Sequence, residues 1–193
     1  MTNKNFVFDC FGVICSEVVP LLFAKYLPPE MADLVRNTIV RDSDLGAISQ
    51  SELFERLAEV LPLSARKIEE EYWSYVRLDD GVLAIVKSLR RGHRVALLSN
   101  CPAPFFRDLV ARYGLDELFE TIMVSAEEGI AKPDPALFTR LLERMGVRPA
   151  DAVMIDDNAA NILGAKEAGM EGLHFTSAEE LAADLKALYA ISV

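Results

Sequence analysis

Short apolar runs of β-type residues recur along the chain and alternate with longer segments of helical periodicity. Nearly every position in these runs is apolar, which is typical of parallel strands covered on both faces. The predicted strands are 6–8, 95–98, 121–124, 152–155 and 172–175.

Amphipathic helical segments separate the later strands. Glycines follow four of them, at Gly92, Gly114, Gly146 and Gly169, where a helix often needs a left-handed residue. Repeated strand–helix units predict a doubly wound α/β fold with a parallel, Rossmann-like sheet. The predicted helices begin near residue 81 and then cover about 104–113, 135–145, 159–168 and 178–189.

One region breaks this alternation. Between Cys15 and Asp80 the chain has helical periodicity but no strand pattern, and Pro28-Pro29 and Pro62 interrupt it. We therefore predict an α/β core made of residues 1–15 and 80–193. A small helical cap, residues 16–79, is predicted to be inserted after the first strand.

Composition narrows the function classes. The chain has 193 residues, 51% of them hydrophobic, and a net charge of −10 with scattered basic residues. The sequence lacks the stripe of basic residues that is typical of nucleic-acid-binding proteins. It also lacks an apolar run long enough to span a bilayer. The N-terminus lacks a signal-peptide pattern, and three unpatterned cysteines suggest neither a zinc site nor disulfides. We expect a cytoplasmic protein, a monomer or homodimer, that binds no nucleic acid or membrane.

Polar residues that could carry chemistry stand directly after the predicted strands. Asp9 follows the first, Ser99-Asn100 the second and Asp156-Asp157 the fourth, while Lys132 lies in the loop after the third. In open α/β sheets, ligands bind at the carboxyl ends of the strands. Each fragment alone is common in loops, but together they predict one site.

Three carboxylates in one cleft would repel each other unless a cation lay among them. Oxygen ligands favour Mg²⁺, which readily shares its coordination shell with a phosphate. Lys132 and the Ser99 hydroxyl are suited to the remaining phosphoryl oxygens. Carboxylate, metal ion and cation are the groups that phosphoryl transfer requires.

The ordered segments FVFDCFGVI, LLSN, EEGIAKPDPALF and VMIDDNAANILGA resemble the haloacid dehalogenase-like hydrolase superfamily. The resemblance spans the whole chain. It is strongest to the branch with a small helical cap, which holds sugar-phosphate phosphatases and the N-terminal phosphatase domain of soluble epoxide hydrolase.

This resemblance implies a Mg²⁺-dependent phosphatase that acts on a small phosphorylated metabolite such as a sugar phosphate. Asp9 would attack phosphorus and form an aspartyl-phosphate. The implied metal ligands are Asp9, Asp157 and the carbonyl of Phe11. Phosphate and substrate contacts would come from Ser99, Asn100 and Lys132. Asp156 would either orient Lys132 or bind the metal ion through water, and Asn161 would support this loop from behind.

Phe11 departs from the family pattern, which has an aspartate there as general acid and base. Such assistance typically contributes about 10²–10⁴-fold in rate. Its loss predicts a preference for phosphates with good leaving groups.

Two other interpretations stay open. In 2-haloacid dehalogenases the corresponding residue is a tyrosine, and Arg36 or Arg41 of the insertion could then hold a substrate carboxylate. The adjacent Asp156 and Asp157 favour a phosphatase instead. A protein that binds a phosphorylated metabolite without hydrolysing it is the third possibility, which Phe11 alone supports.

Overall fold

The computed structural model describes residues 4–193, and its centre is a parallel five-stranded sheet. The strands lie in the order β3-β2-β1-β4-β5. The predicted parallel α/β fold is confirmed, and each predicted strand agrees with the observed one to within a residue or two. The strands are β1 Asn5–Phe8, β2 Val95–Ser99, β3 Thr121–Val124, β4 Ala152–Asp156 and β5 Glu171–His174.

Helices cover both faces of this sheet and fill the segment between β1 and β2. A π-helical segment, Arg36–Val40, joins α2 to α3 without a break. The helices are α1 Val19–Tyr26, α2 Pro29–Val35, α3 Arg41–Asp44, α4 Gln50–Val60, α5 Ala65–Tyr75, α6 Asp80–Leu89, α7 Ala103–Tyr113, α8 Ser125–Glu128, α9 Pro135–Met145, α10 Ala159–Glu167 and α11 Ala178–Tyr189.

Side-chain alternation along the strands builds a core on each face of the sheet. Phe6 and Phe8 are fully buried in one cluster with residues of α6, α7 and α11. Val7 and Met154 are fully buried in a second cluster with residues of α9 and α10. Because β1 and β4 are covered on both faces, their carboxyl ends open onto a rigid edge.

Three of the four glycines predicted to follow a helix in the left-handed conformation do so. Gly114, Gly146 and Gly169 have positive φ values after their helices. Gly92 does not, so that expectation was wrong. Helix α6 already ends at Leu89, and the Gly92 amide donates to the Leu89 carbonyl within an ordinary turn.

Among the described residues, the named elements between 16 and 79 are all helical. This agrees with the helical periodicity, while the division into core and cap stays a prediction. Helix α5 contacts the core through its aromatic residues: the Trp73 and Phe105 ring centroids lie 4.4 Å apart, and those of Tyr72 and Phe105 lie 5.8 Å apart. Within residues 4–193 no helix combines the length and apolar character that crossing a membrane would require.

Candidate active site

Three carboxylates meet at the carboxyl ends of the two central strands. Asp9 follows β1, Asp156 ends β4, and Asp157 comes next. One carboxylate oxygen of each lies within 4.8 Å of those of the other two. Adjacent parallel strands in register produce this convergence, since Phe8 of β1 lies beside Ile155 of β4.

Lys132 is buried between two of these carboxylates. Its Nζ lies 2.7 Å from Asp9 Oδ1 and 2.7 Å from Asp156 Oδ2. Burial by itself would lower the lysine pKa, but the Asp9 and Asp156 charges outweigh it and raise that pKa. Lys132 is therefore a permanent cation at the base of the site.

The Asp156 carboxylate is occupied by donors from the protein. In addition to Lys132, it accepts hydrogen bonds from the Asn158 backbone amide at 2.9 Å and from Asn161 Nδ2 at 3.0 Å to each oxygen. A carboxylate with this many donors is suited to holding Lys132 in place. Of the two roles considered for Asp156, its contacts favour orienting the lysine over reaching a metal ion.

Asn100 holds the backbone of Lys132 instead of pointing freely at a ligand. Its Nδ2 donates to the Lys132 carbonyl, and its Oδ1 accepts from the Lys132 amide, both at 2.9 Å.

Ser99 is fully buried, and its Oγ has no hydrogen-bond partner among the described residues. Such an orphaned hydroxyl is costly unless a ligand or water uses it.

The loop after Asp9 is shaped by a glycine. Gly12 has φ +88°, and a Cβ atom there would lie 2.3 Å from Asp157 Oδ2. Only glycine allows this close approach of the loop backbone to the carboxylate.

The Phe11 ring packs against the Phe105 ring: the centroids lie 6.3 Å apart, and the ring planes are inclined by 27°. The Phe11 side chain therefore contacts apolar residues.

A cavity of about 210 Å³ opens above the carboxylates. We call its two sides the floor and the cap wall. The floor consists of the polar residues Asp9, Asn100, Lys132, Asp157, Asn158 and Asn161, which all lie in or after core strands, and the core residues Phe11, Cys101, Pro102 and Phe105 complete the lining. The cap wall comes from the helical insertion and consists of Glu17, Val18, Val19, Pro20, Arg36, Val40, Asp44, Leu53 and Tyr72.

Acidic residues on both sides of the cavity have raised pKa values. Burial is the main cause for Asp9, for Asp157 and for Glu17. Burial also raises the pKa of Asp44 to about 7, against the opposing charges of Arg41 and Lys132. Each of these carboxylates would gain from a cation or a proton.

Several cap residues differ from what their sequence context suggests. Tyr72 has the spacing of a core residue and is buried, yet it also lines the cavity. Of the two candidate arginines, Arg36 lines the cavity, while Arg41 is not among the lining residues. Asp44 was missed, because a single aspartate near a helix end carries no signal of a site.

The fold and the site geometry agree with a known family. A family model described as haloacid dehalogenase-like hydrolase matches residues 4–169. The chain is a haloacid dehalogenase-like hydrolase. This confirms the superfamily that the four sequence motifs predicted.

Individual relatives of this hydrolase give further context. The sesquiterpene phosphatase astK of Aspergillus oryzae is 25% identical to it over 191 residues, which cover 97% of each protein. Further relatives also carry phosphatase names. Together with the family, these names establish a hydrolase, several of whose relatives are named phosphatases.

Two solved structures share the fold. A HAD-family enzyme from Bacteroides thetaiotaomicron, in complex with magnesium and inorganic phosphate, has a TM-score of 0.75 and 24% identity, covering 90% of this chain and 94% of that one. L-2-haloacid dehalogenase from Xanthobacter autotrophicus, with chloropropionic acid covalently bound, has a TM-score of 0.65 and 22% identity, covering 96% and 83%. At these identities the likeness concerns the fold alone.

Proposed function

We propose that this hydrolase is a Mg²⁺-dependent phosphatase of a small phosphate monoester, with Asp9 as the nucleophile. The observation that carries the proposal is the cluster of Asp9, Asp156 and Asp157, whose oxygens lie within 4.8 Å of one another beside a single buried lysine. One ammonium leaves two negative charges uncompensated, which a divalent cation would balance.

The donor set fits magnesium. The groups that would hold the ion are the Asp9 and Asp157 carboxylates and the carbonyl of Phe11, and Mg²⁺ prefers such oxygen ligands. When bound, the ion would neutralise charge on the phosphoryl group. Burial raises the pKa values of both carboxylates, so a neighbouring cation would keep them ionised.

The reaction uses residues of the chain in a definite order. One Asp9 oxygen attacks phosphorus and forms an aspartyl-phosphate, while the bond to the leaving oxygen breaks on the opposite side. Lys132, held by Asp156 and Asn100, stabilises the charge on the phosphoryl oxygens. The orphaned hydroxyl of Ser99 is available as a further donor. Water then hydrolyses the aspartyl-phosphate and frees Asp9.

Dehalogenation of a 2-haloacid is the second candidate, which two observations favour. Phe11 places an aromatic ring where the family's phosphatases have an acid, and Arg36 lines the cavity, where it could bind a carboxylate. Displacement of halide by Asp9 needs neither a metal ion nor a proton donor. The cluster of Asp9, Asp156 and Asp157 argues against it, because dehalogenation needs no metal ion and would leave these carboxylates without the divalent cation that balances them.

A panel of phosphorylated metabolites tests the proposal, with phosphate release measured in Mg²⁺ and in EDTA. Asp9→Asn is the control, and it should lower turnover by at least about 10³-fold. Chloride release from 2-chloropropionate in EDTA would instead establish the dehalogenase. Tight binding of Mg²⁺ and phosphate without turnover of any ester would favour the binding protein.

A further inference from the structure

The position of Phe11 leaves the proposed phosphatase without the proton donor that its family pattern provides. Phosphoryl transfer from an ordinary alcohol still has to protonate the leaving oxygen, since an alkoxide is a poor leaving group. The cavity should therefore contain another acid on the side where that oxygen departs. This reasoning rests on the proposed function.

The geometry of in-line transfer identifies that side. The attacking and leaving oxygens lie on opposite sides of phosphorus. Asp9 is on the floor, so the leaving oxygen points toward the cap wall. Acid–base side chains of the cap wall, and not those of the floor, are in a position to meet it.

Two carboxyl groups of the cap wall are available, and their surroundings differ. Glu17 also lines a neighbouring depression together with Gly12 and Asp157, so it lies toward the metal side of the cavity. Asp44 lines the cavity from the end of α3, whose backbone contacts Ser125. The carboxylate of Asp44 forms no hydrogen bond or ion pair with the described residues, which leaves it free for a ligand.

Contacts to the core fix the backbone at Asp44. Ser125 Oγ donates to the Asp44 carbonyl at 2.5 Å and accepts from the Cys101 amide at 3.2 Å. Just beyond, Gly46 has φ +67°, and a Cβ atom there would lie 2.3 Å from the Ala126 carbonyl oxygen. The end of α3 is thus seated on α8, beside the loop that follows β2.

The π-helical segment explains why Asp44 lines the same cavity as Val40, one turn earlier, and Arg36, two turns earlier. In an α-helix, positions four residues apart drift by about 40° around the axis. The wider π turn offsets this drift, so Arg36, Val40 and Asp44 all line one cavity. Such π segments frequently occur at functional sites.

A second buried polar group points to a ligand at the same place. The Tyr72 hydroxyl has no hydrogen-bond partner among the described residues, although the side chain is 96% buried and lines the cavity. Its pKa is raised by burial first and by the charge of Asp44 next. The hydroxyl therefore keeps its proton and can donate a hydrogen bond to a substrate oxygen.

We propose that Asp44 is the general acid and base of this enzyme, supplied by the cap in place of the acid that Phe11 replaces. As the bond from phosphorus to the leaving oxygen breaks, the Asp44 carboxylic acid gives its proton to that oxygen, and the alcohol departs. The Asp44 carboxylate then takes a proton from the water that attacks the aspartyl-phosphate. Orthophosphate and one alcohol are the products, and Asp44 is again protonated.

The charge state of Asp44 suits this role. Its pKa, about 7, is raised by burial, with Arg41 and Lys132 opposing and Glu17 adding to the effect. An acid whose pKa lies near the working pH is efficient both at donating and at accepting a proton. By contrast, burial raises the pKa values of Cys101 and Tyr72, which also line the cavity, far above that range.

The experiment compares p-nitrophenyl phosphate, phenyl phosphate and glycerol 3-phosphate, which leave with increasing difficulty. Asp44→Asn should lower kcat/KM by about 10²–10³-fold for glycerol 3-phosphate and by only a few-fold for p-nitrophenyl phosphate. The fall of wild-type kcat/KM above about pH 7 should disappear in the variant. Asp44→Glu should recover part of the loss.

Three further variants serve as controls. Asp42→Asn changes a neighbouring acid that pairs with Arg56 outside the cavity, and it should leave all three rates unchanged. Tyr72→Phe should raise KM but keep the loss of activity above pH 7. Glu17→Gln should not change the dependence on the leaving group.

Each contrary result has a definite meaning. Equal losses on all three esters in Asp44→Asn, or a leaving-group effect in Glu17→Gln instead, would overturn the role of Asp44. So would a wild-type enzyme that hydrolyses p-nitrophenyl phosphate but not the other two esters. If no ester is hydrolysed in Mg²⁺, the phosphatase proposal itself fails.

Discussion

The floor and the cap wall of the cavity are built on different principles. On the floor, Lys132 is held by Asp9 and by Asp156 beneath it, and Asp156 is in turn held by Asn161. The cap wall combines apolar residues with Glu17, Arg36, Asp44 and Tyr72, and the side-chain oxygens of Asp44 and Tyr72 lack hydrogen-bond partners among the described residues. The floor is preorganised, whereas the cap wall presents groups that await a ligand.

This difference indicates that the floor stabilises the transferring phosphoryl group and that the cap wall contacts the leaving group. Phosphoryl transfer needs fixed charges that do not reorganise as the transition state forms, and the floor provides them. The leaving group differs from substrate to substrate, and the cap wall faces it. Substitutions on the floor should therefore affect every phosphate ester alike, while removal of the cap-wall acid Asp44 should discriminate among esters.

Removing the lysine of the floor should produce the largest effect. Lys132→Met would leave two buried carboxylates without their cation, which typically costs about 3–5 kcal/mol of unfolding free energy. Turnover of every ester should fall together. Urea denaturation and the ester panel measure the two effects.

The matched control for this change is Lys67→Met, which breaks the ion pair of Lys67 with Glu70 at the surface of the insertion. It should have far less effect on stability than the change at Lys132, because water screens exposed pairs. Equal destabilisation by the two substitutions would contradict the distinction between floor and insertion.

A smaller effect is expected when the support of Asp156 is weakened. Asn161→Ala removes two hydrogen bonds of 3.0 Å from this carboxylate, so Lys132 should be held less firmly. Loss of such a supporting contact typically costs about 10–100-fold in activity or metal affinity. The decrease in kcat should be the same for p-nitrophenyl and glycerol phosphates, with Asn37→Ala as the exposed amide control. A loss confined to one ester would place Asn161 among the leaving-group contacts.

The two sides also differ in how far sequence alone predicts them. The floor residues follow strands whose apolar runs are visible in the sequence, and parallel strands bring their carboxyl ends together. Asp9, Asn100, Lys132 and Asp157 could therefore be placed at one edge before any coordinates were known. Their roles stay proposals, but their proximity follows from the topology.

The cap wall could not be predicted in the same way. Helical periodicity says which face of a helix is apolar, but not which distant loop that face will meet. Asp44 reaches the cavity because of a π-helical segment and a contact with Ser125, and neither has a sequence signature. Tyr72 fits an apolar stripe equally well whether its hydroxyl ends in a core or in a cavity.

Combining Phe11→Asp with Asp44→Asn tests whether the proton donor can be transferred from the cap wall to the loop beside the nucleophile. Phe11→Asp restores an acid beside the nucleophile, where the family pattern has it. If Asp44 is the donor, Phe11→Asp should raise the turnover of glycerol 3-phosphate about tenfold or more in the Asp44→Asn background and much less in wild type. The kcat values of the four combinations give the coupling. An equal gain in both backgrounds would mean that wild type has no donor, as the sequence by itself suggests.

The smallest effect concerns stability and follows from the pKa of Asp44. Its usual value is 3.8, and burial raises it to about 7 in the folded chain, so the folded state binds the proton more tightly than the unfolded state. The contribution of Asp44 to the free energy of unfolding should therefore decrease as the pH rises from about 4 to 7 and stay constant above that range.

Asp44→Asn has no proton to lose, so its stability relative to wild type should increase across the same range. We expect a difference of roughly 1–3 kcal/mol at pH 8, less than full burial would give, because the side chain keeps partial contact with water in the cavity. Urea denaturation of both proteins at pH 4, 6 and 8 measures it. Asp42→Asn, which breaks only the pair with Arg56, should show no such trend. A constant difference at all three pH values would mean that the pKa of Asp44 is the same in the folded and unfolded chain, near 3.8. The group would then be ionised at neutral pH and would have no proton to give to a leaving group.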